Sequence, residues 1–351
     1  MKNQKTIVLT GGGTAGHVYP ALAVKEYLDK SYQVHYIGGK GMEKEIVKKE
    51  EDIIYHEIDA VKLQRKLTLK NLLIPIKLFK SISLCKQILK EIKPNVIFSK
   101  GGFVALPVVI AGKSLNIPIV SHESDLSMGL ANKIILHYCD YMATAFEKTS
   151  SINKKCVYTG QPIRKKLFKG NKNNLNFLNK LNKNKKNLLV VGGSSGAKFL
   201  NELVEKELDL LLKDFNVIHL TGKNYSKNVS KENYIQIDYA DNMGDYLNLA
   251  DIVLSRAGSG AINEFLALQI PMLLIPLSKK CSRGDQIENA KLFQSLSLCE
   301  MLEEEDYNSE ILLEKLNNLK ENDKIFKENM KKIKNFNACE KIIELIKKIE
   351  K

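Results

Sequence analysis

The sequence predicts an α/β protein made of two Rossmann-like domains facing across a cleft. Three observations predict it: strand-like runs alternate with helical patterns, the alternation pauses and restarts once, and glycines gather where strands end. A chain of 351 residues, 44% hydrophobic and 27% charged, is long for one core and comfortable for two.

The first half opens on "TIVLT", which runs into glycines and a helical pattern over Val18–Leu28. "QVHYIGG" precedes a helix over Met42–Lys49, "NVIFSK" one over Ala105–Ser114, and "IPIVSHE" one over Gly129–His137. "YMATAF" and "CVYTG" close this half. The pattern restarts with "NLLVVGGSSGA" into Phe199–Leu212, then "FNVIHLTG", "YIQIDYA", "DIVLSRAGSGA" into Ile262–Leu268, and "PMLLIPL". The boundary lies near Gly160–Lys169, giving domains over 1–163 and 164–336. A last helix over about 337–351 is free to pack on either half, including back on the first domain. The Lys/Asn-rich run from Lys169 to Asn187 reads as a solvated linker.

A net charge of +14 calls for a polyanionic partner, although lysine drift in that run supplies part of it. Nucleic acid is disfavoured: the basic stretches carry aliphatic residues rather than stacking aromatics, and there is no tryptophan. The six cysteines (85, 139, 156, 281, 299 and 339) are scattered without a C-x-x-C pair, which argues against disulfides or zinc and for a reducing cytoplasm. The N-terminus enters a strand directly, so no leader is expected, and the longest apolar runs are too short to span a bilayer.

Gly11-x-Gly13-x-x-Gly16 has the spacing of a dinucleotide fingerprint, but that reading needs an acid ending the second strand. The strand ends in Gly38, Gly39 and Lys40, so an NAD-dependent oxidoreductase is disfavoured. Three loops remain as phosphate cradles: Gly11–Gly16, Lys100–Phe103 and Gly192–Gly196. His17 starts a helix, where the imidazolium is disfavoured and a neutral general base is favoured. "SHESD" brings Glu123 and Asp125 to a strand end, either as catalytic carboxylates or as helix caps. Glu264 follows a Gly/Ser loop at a spacing that suits ribose hydroxyls, and Asp285, Gln286 and Asn289 open another helix with groups that suit sugars. His35 and His219 lie inside strands and read as structural.

The segments "GGGTAGHVYPALAV", "SKGGFVALPVVIAG", "HESDLSMGLANK", "GQPIR", "VVGGSSGAKFLN", "SRAGSGAINEFLALQIPMLLIPL" and "RGDQIENA" occur in one order along nearly the whole chain. Together they resemble the MurG family of glycosyltransferases, family 28 type, with the GT-B fold. The resemblance implies an inverting UDP-N-acetylglucosamine-dependent hexosyltransferase of peptidoglycan synthesis. Its acceptor would be lipid I and its product lipid II. It implies that Thr14, Ala15 and Gly16 lie where donor sugar and acceptor diphosphate meet, with Asp125 also at the substrate. Arg164 would contact the nucleotide and Ser194 a donor phosphate. Ser259, Gly260 and Ala261 would approach phosphate and sugar, Glu264 the ribose, and Gln286 the N-acetylglucosamine hydroxyls. Ala15, Asp125, Ser195 and Asp285 depart from the commonest family pattern, mostly at sugar contacts. A diacylglycerol glycosyltransferase of the same fold is the nearest rival.

The implied reaction is a single displacement with His17 as base, or Asp125 or Glu123 in its place. No D-x-D motif stands at a strand end, so no metal or cofactor is expected, and main-chain dipoles with Arg164 would meet the leaving charge. The 62–90 segment has eight basic and no acidic residues, and its apolar residues exceed one helical stripe. Leu72, Ile76 and Phe79 are expected to face the core. Leu73, Ile74 and Leu78 with Lys77 and Lys80 are expected to face the inner surface of the cell membrane, where the protein would dock peripherally.

Overall fold

The computed structural model describes residues 4–60, 74–193, 196–223, 225, 227–333 and 337–351. The chain divides into two compact units, Met1–Arg164 with Asn335–Lys351, and Lys165–Lys334.

The first unit carries β1 (Lys5–Thr10), α1 (Ala15–Lys25), β2 (Tyr32–Gly38), α2 (Met42–Val47), β3 (Ile53–Glu57), α3 (Ile74–Ile92) and β4 (Val96–Ser99). These are followed by α4 (Gly102–Ser114), β5 (Ile119–Glu123), α5 (Leu130–Tyr138), β6 (Tyr141–Thr144), α6 (Glu147–Ser150) and β7 (Cys156–Tyr158). Its seven strands are all parallel in the order β3-β2-β1-β4-β5-β6-β7. β1 is central and pairs Leu9 with Tyr36 on one side and Phe98 on the other. Central parallel strands bury both faces, which is why "TIVLT" and "NVIFS" are almost wholly apolar.

The second unit has α7 (Lys165–Phe168), β8 (Lys186–Val191), α8 (Lys198–Asp214), β9 (Phe215–Leu220), β10 (Tyr234–Ile237), α9 (Met243–Leu249) and β11 (Ile252–Ser255). α10 (Ser259–Ala267), β12 (Met272–Leu274), α11 (Asp285–Ser295), β13 (Glu300–Met301), α12 (Ser309–Glu321) and α13 (Asp323–Lys332) follow. Its sheet runs β10-β9-β8-β11-β12-β13, also parallel. Both sheets therefore reverse direction beside their first strand, and ligands of such sheets bind at the carboxyl ends there. The switch points lie between β1 and β4 and between β8 and β11.

The last helix, α14 (Ala338–Ile349), belongs to the first unit. Cys339, Ile342, Ile343 and Ile346 recur at helical spacing and pack into the core formed by α1 and the β1, β2 and β4 strands. The carboxylate of Glu350 fixes its end by accepting from the Lys5 ammonium and the Tyr32 hydroxyl.

The Lys/Asn-rich run is mostly exposed, as its composition predicts, but it is anchored to the second unit. Leu175 and Phe177 are buried, and the Phe177 ring packs 6.2 Å from that of Tyr246. Asn182 N–H donates to Asn216 Oδ1 at 2.9 Å, and Asn216 Nδ2 returns to Asn182 O at 2.9 Å. Asparagine carries both donor and acceptor, so Asn216 on β9 satisfies the Asn182 backbone between the short 3-10 helices of the run and β8.

Candidate active site

In the first unit, β1 leads into Gly11, Gly12 and Gly13, then Thr14 and α1. Gly13 sits at φ 83°, and a β-carbon on it would lie 2.4 Å from Phe103. Glycine is the residue that allows both the turn and the close approach. Thr14 precedes α1 without capping it through its side chain; its hydroxyl instead lies 2.9 Å from His17 Nδ1. The opposite ring nitrogen, Nε2, is 3.2 Å from where a β-carbon on Gly102 would stand. Gly102 has φ 82°, so the second glycine loop makes room for the His17 ring. Thr14 and Gly16 are exposed, with Ala15 and His17 half-buried, so the imidazole lies at an open crevice over the switch point.

The "SHESD" carboxylates have different surroundings. Glu123 is buried, and its oxygens accept from Asp125 N–H (2.9 Å), Gly129 N–H (3.1 Å) and Asn132 Nδ2 (2.9 Å). It organises the turn between β5 and α5. Asp125 is half-exposed on that turn. His122, buried behind it, donates its Nε2–H to Gly160 O (2.9 Å) and leaves Nδ1 without a hydrogen-bond partner. Burial, aided by the Lys100 charge, holds its pKa well below the usual histidine range. Arg164 is buried with its guanidinium 3.9 Å over the Tyr19 ring of α1, a cation–π contact that ties the end of this unit to the His17 helix.

Two residues at this crevice escaped the sequence reading. Glu43, only 2% exposed, accepts from Gly13 N–H (3.2 Å) and Gly39 N–H (3.0 Å). Gly12, Gly39 and Gly41 each leave space for its carboxylate, so the glycine run after β2 was its sequence signal. Lys100, read only as part of a loop, is a fully buried lysine.

In the second unit, Gly192, Gly193 and Gly196 follow β8, with positive φ at Gly193 (95°) and Gly196 (76°). Ser194 lies outside the described residues. Across the switch point, β11 leads through Arg256 into α10. Ser259 is buried, whereas Gly260, Ala261 and Glu264 are half-exposed and share one helical face by their i, i+1, i+4 spacing. Nothing lies within 4 Å of a β-carbon placed on Gly258, so the helix start is open. Arg256 donates to Ile275 O (3.1 Å) and Pro276 O (3.3 Å) and pairs with Glu304 at 2.6 Å. It thereby fixes the segment leading to α11. There Gln286 Oε1 accepts from Leu277 N–H at 3.0 Å, and Asp285 pairs with Arg283 at 3.7 Å. Asn289 is fully buried, which removes it from a surface role. His219 is buried among side chains, and His35 stacks on His56 with ring nitrogens 2.8 Å apart.

The α3 face departs from expectation. Ser81, Cys85 and Leu89 are its buried stripe, flanked by Leu78 and Ile82. Leu78 therefore packs inward, while Ile76 (55% exposed) and Phe79 (74% exposed) point outward. Counting the stripe from Cys85 rather than from Leu72 rotates the helix by about half a turn. Ile74 is half-buried, Lys77 and Lys80 are exposed, and Leu72 and Leu73 lie outside the described residues. Among the described residues, no helix is long and apolar enough to cross a membrane.

Models of the glycosyltransferase family 28 N-terminal and C-terminal domains match residues 7–144 and 187–346. The two units thus carry the paired domains of a glycosyltransferase. Curated relatives from Clostridium tetani and Clostridium botulinum are each 46% identical, over 98% and 99% of this chain and 98% and 100% of their own. Both are named "UDP-N-acetylglucosamine--N-acetylmuramyl-(pentapeptide) pyrophosphoryl-undecaprenol N-acetylglucosamine transferase". A crystal structure of MurG from Acinetobacter baumannii matches the fold at TM-score 0.75 and 24% identity, covering 98% of this chain and 99% of that one. The chain belongs to glycosyltransferase family 28, and within it to the family of these N-acetylglucosamine transferases.

Proposed function

We propose that the protein moves N-acetylglucosamine from UDP-N-acetylglucosamine to lipid I, forming lipid II. The observation that carries the substrates is the identity to enzymes so named over 98% of both chains. In this reading, residues 1–163 take the acceptor and 164–336 the donor. The acceptor sugar hydroxyl attacks the anomeric carbon, the bond to phosphate breaks with its electrons on UDP, and the hydroxyl proton passes to His17. With its proton on Nδ1 the ring donates to Thr14 Oγ1 and offers an Nε2 lone pair over Gly102. The N-terminal end of α1 favours that neutral form. Glu123 is buried and accepts from three donors, whereas Asp125 is half-exposed on the turn, so Asp125 is the carboxylate a substrate can reach. Ser194 and the Ser259–Ala261 turn would face donor phosphates, Arg164 the nucleotide, Glu264 the ribose and Gln286 the sugar. Gln286 would do so through its Nε2, because Oε1 is engaged.

For the membrane, the exposed Ile76 and Phe79 with Lys77 and Lys80 fit an anionic lipid surface better than the face predicted from sequence. Transfer of labelled N-acetylglucosamine to a lipid I analogue, with diacylglycerol as competing acceptor, tests the reaction. Labelled diacylglycerol without labelled lipid II would refute it. Flotation with anionic vesicles tests the face. F79S should weaken vesicle binding about tenfold, the loss of one interfacial aromatic, and equal flotation would remove α3 from the contact.

A further inference from the structure

Lys100 is 1% exposed, directly after β4 at the switch point of the first sheet. Its backbone N–H donates to Thr10 O at 2.8 Å, which stitches the second glycine loop to the end of β1. Its β-carbon lies 3.0 Å from where a β-carbon on Gly11 would stand, so the root of the side chain packs against the first glycine loop. Its ammonium donates to Ser124 Oγ at 2.6 Å, and Ser124 donates on to Gln161 Oε1 at 2.8 Å. Among the described residues Lys100 forms no ion pair with a carboxylate. A buried ammonium with one neutral acceptor is costly, and a methionine would fill the same space without that cost. Glu123 and Asp125 offset part of that cost, and an anion arriving with a ligand would offset more.

We propose that Lys100 is a positioning residue for the acceptor: through Ser124 it sets the turn bearing Asp125, and its charge at that turn attracts the acceptor's diphosphate. This rests on the functional reading above. The charged groups around it are consistent. Glu123 and Asp125 favour its ionised form, His122 is kept neutral beside it, and His17 and Glu43 lie across the glycine loop. Burial is the largest influence and pushes its pKa down to about 8. The charge is thus present at neutral pH and fades as pH rises through that value.

The test is steady-state transfer by the full chain to a short-chain polyprenyl-diphosphoryl acceptor, with K100M and K100R. K100M should raise acceptor KM about tenfold or more with donor KM within about twofold, as loss of one desolvated charge predicts. Wild-type acceptor KM should climb between about pH 7 and about pH 9, and K100R, whose charge does not titrate, should flatten that climb. An unchanged acceptor KM in active K100M overturns the proposal, as does a donor KM that rises equally, which would give the charge to the donor diphosphate. If K100M does not melt cooperatively, K100R decides, and a wild-type pH slope persisting there overturns the proposal. Absence of transfer by the wild type would instead overturn the functional reading and this proposal with it.

Discussion

The two sheets share one strand order but finish their strand-end loops in different ways. Around β1 and β4 the glycine loops are set among buried ionisable groups: Glu43 on backbone amides, Lys100 on a serine, and His122 with an unpartnered nitrogen. Around β8 and β11 the Arg256 charge is met at contact distance by Glu304 and two carbonyls, with its Nε unpartnered, and the neutral Gln286 holds a backbone amide. The first arrangement responds to protons and to incoming charge; the second holds backbone in place. In the proposed reading, proton transfer and acceptor binding fall to the first arrangement and the nucleotide sugar to the second.

The sharpest way to break this contrast is His17→Ala. If the first crevice does the proton chemistry, kcat should fall about 10²- to 10⁴-fold, the usual contribution of a general base, with donor KM within about twofold. Steady-state kinetics with both substrates measures it, and near-normal turnover would move proton acceptance elsewhere. Arg256→Met should behave in the opposite sense. It strands Glu304 and two carbonyls in a half-buried setting, and should cost about 2–4 kcal/mol of stability while raising donor KM more than it lowers kcat. Calorimetric melting with and without UDP reads this effect. A fall in Tm with unchanged donor KM would make Arg256 a fold residue alone.

Sequence alone conveyed the architecture because parallel strands buried on both faces must be apolar and must alternate with crossover helices. It conveyed the glycine loops because a positive φ or a close approach, as at Gly13 and Gly102, leaves glycine little competition. It missed Glu43, whose role depends on amides of Gly13 and Gly39 brought together only by pairing β1 with β2. The α3 face was misread for a related reason. A helix with apolar residues on more than one stripe does not announce which stripe the sheet covers, and the contacts of Cys85 and Leu89 settle it. The anchoring of the Asn-rich run stayed hidden because composition counts polar residues without knowing that Asn182 and Asn216 bond each other.

Two buried histidines, one in each unit, give the smallest effect and a finer version of the contrast. In the second unit His219 has a partner on each ring nitrogen: Asn201 Oδ1 at Nε2 (3.0 Å) and the Tyr234 hydroxyl at Nδ1 (3.0 Å). Asn201 Nδ2 donates to Thr221 O (2.9 Å), so Oδ1 is the acceptor, Nε2 carries the proton, and Tyr234 donates to Nδ1. That network is complete only for neutral imidazole, and burial pushes the pKa from 6.5 down to about 4. Between those values the unfolded chain binds the proton and the folded one does not. Stability is therefore full above about pH 6.5 and falls as pH drops toward about 4, at up to about 1.4 kcal/mol per unit. His219→Gln, which keeps a donor and an acceptor without titrating, should make that slope shallower. In denaturant titrations at about pH 7, 5.5 and 4.5, coincident slopes for wild type and His219→Gln would show that acid acts elsewhere. The residual slope in His219→Gln is expected to come in part from His122, whose pKa is also held well below the usual range and whose Nδ1 lacks a partner. Acid sensitivity would then persist in the first unit, where the buried charges lie beside the crevice proposed to handle protons.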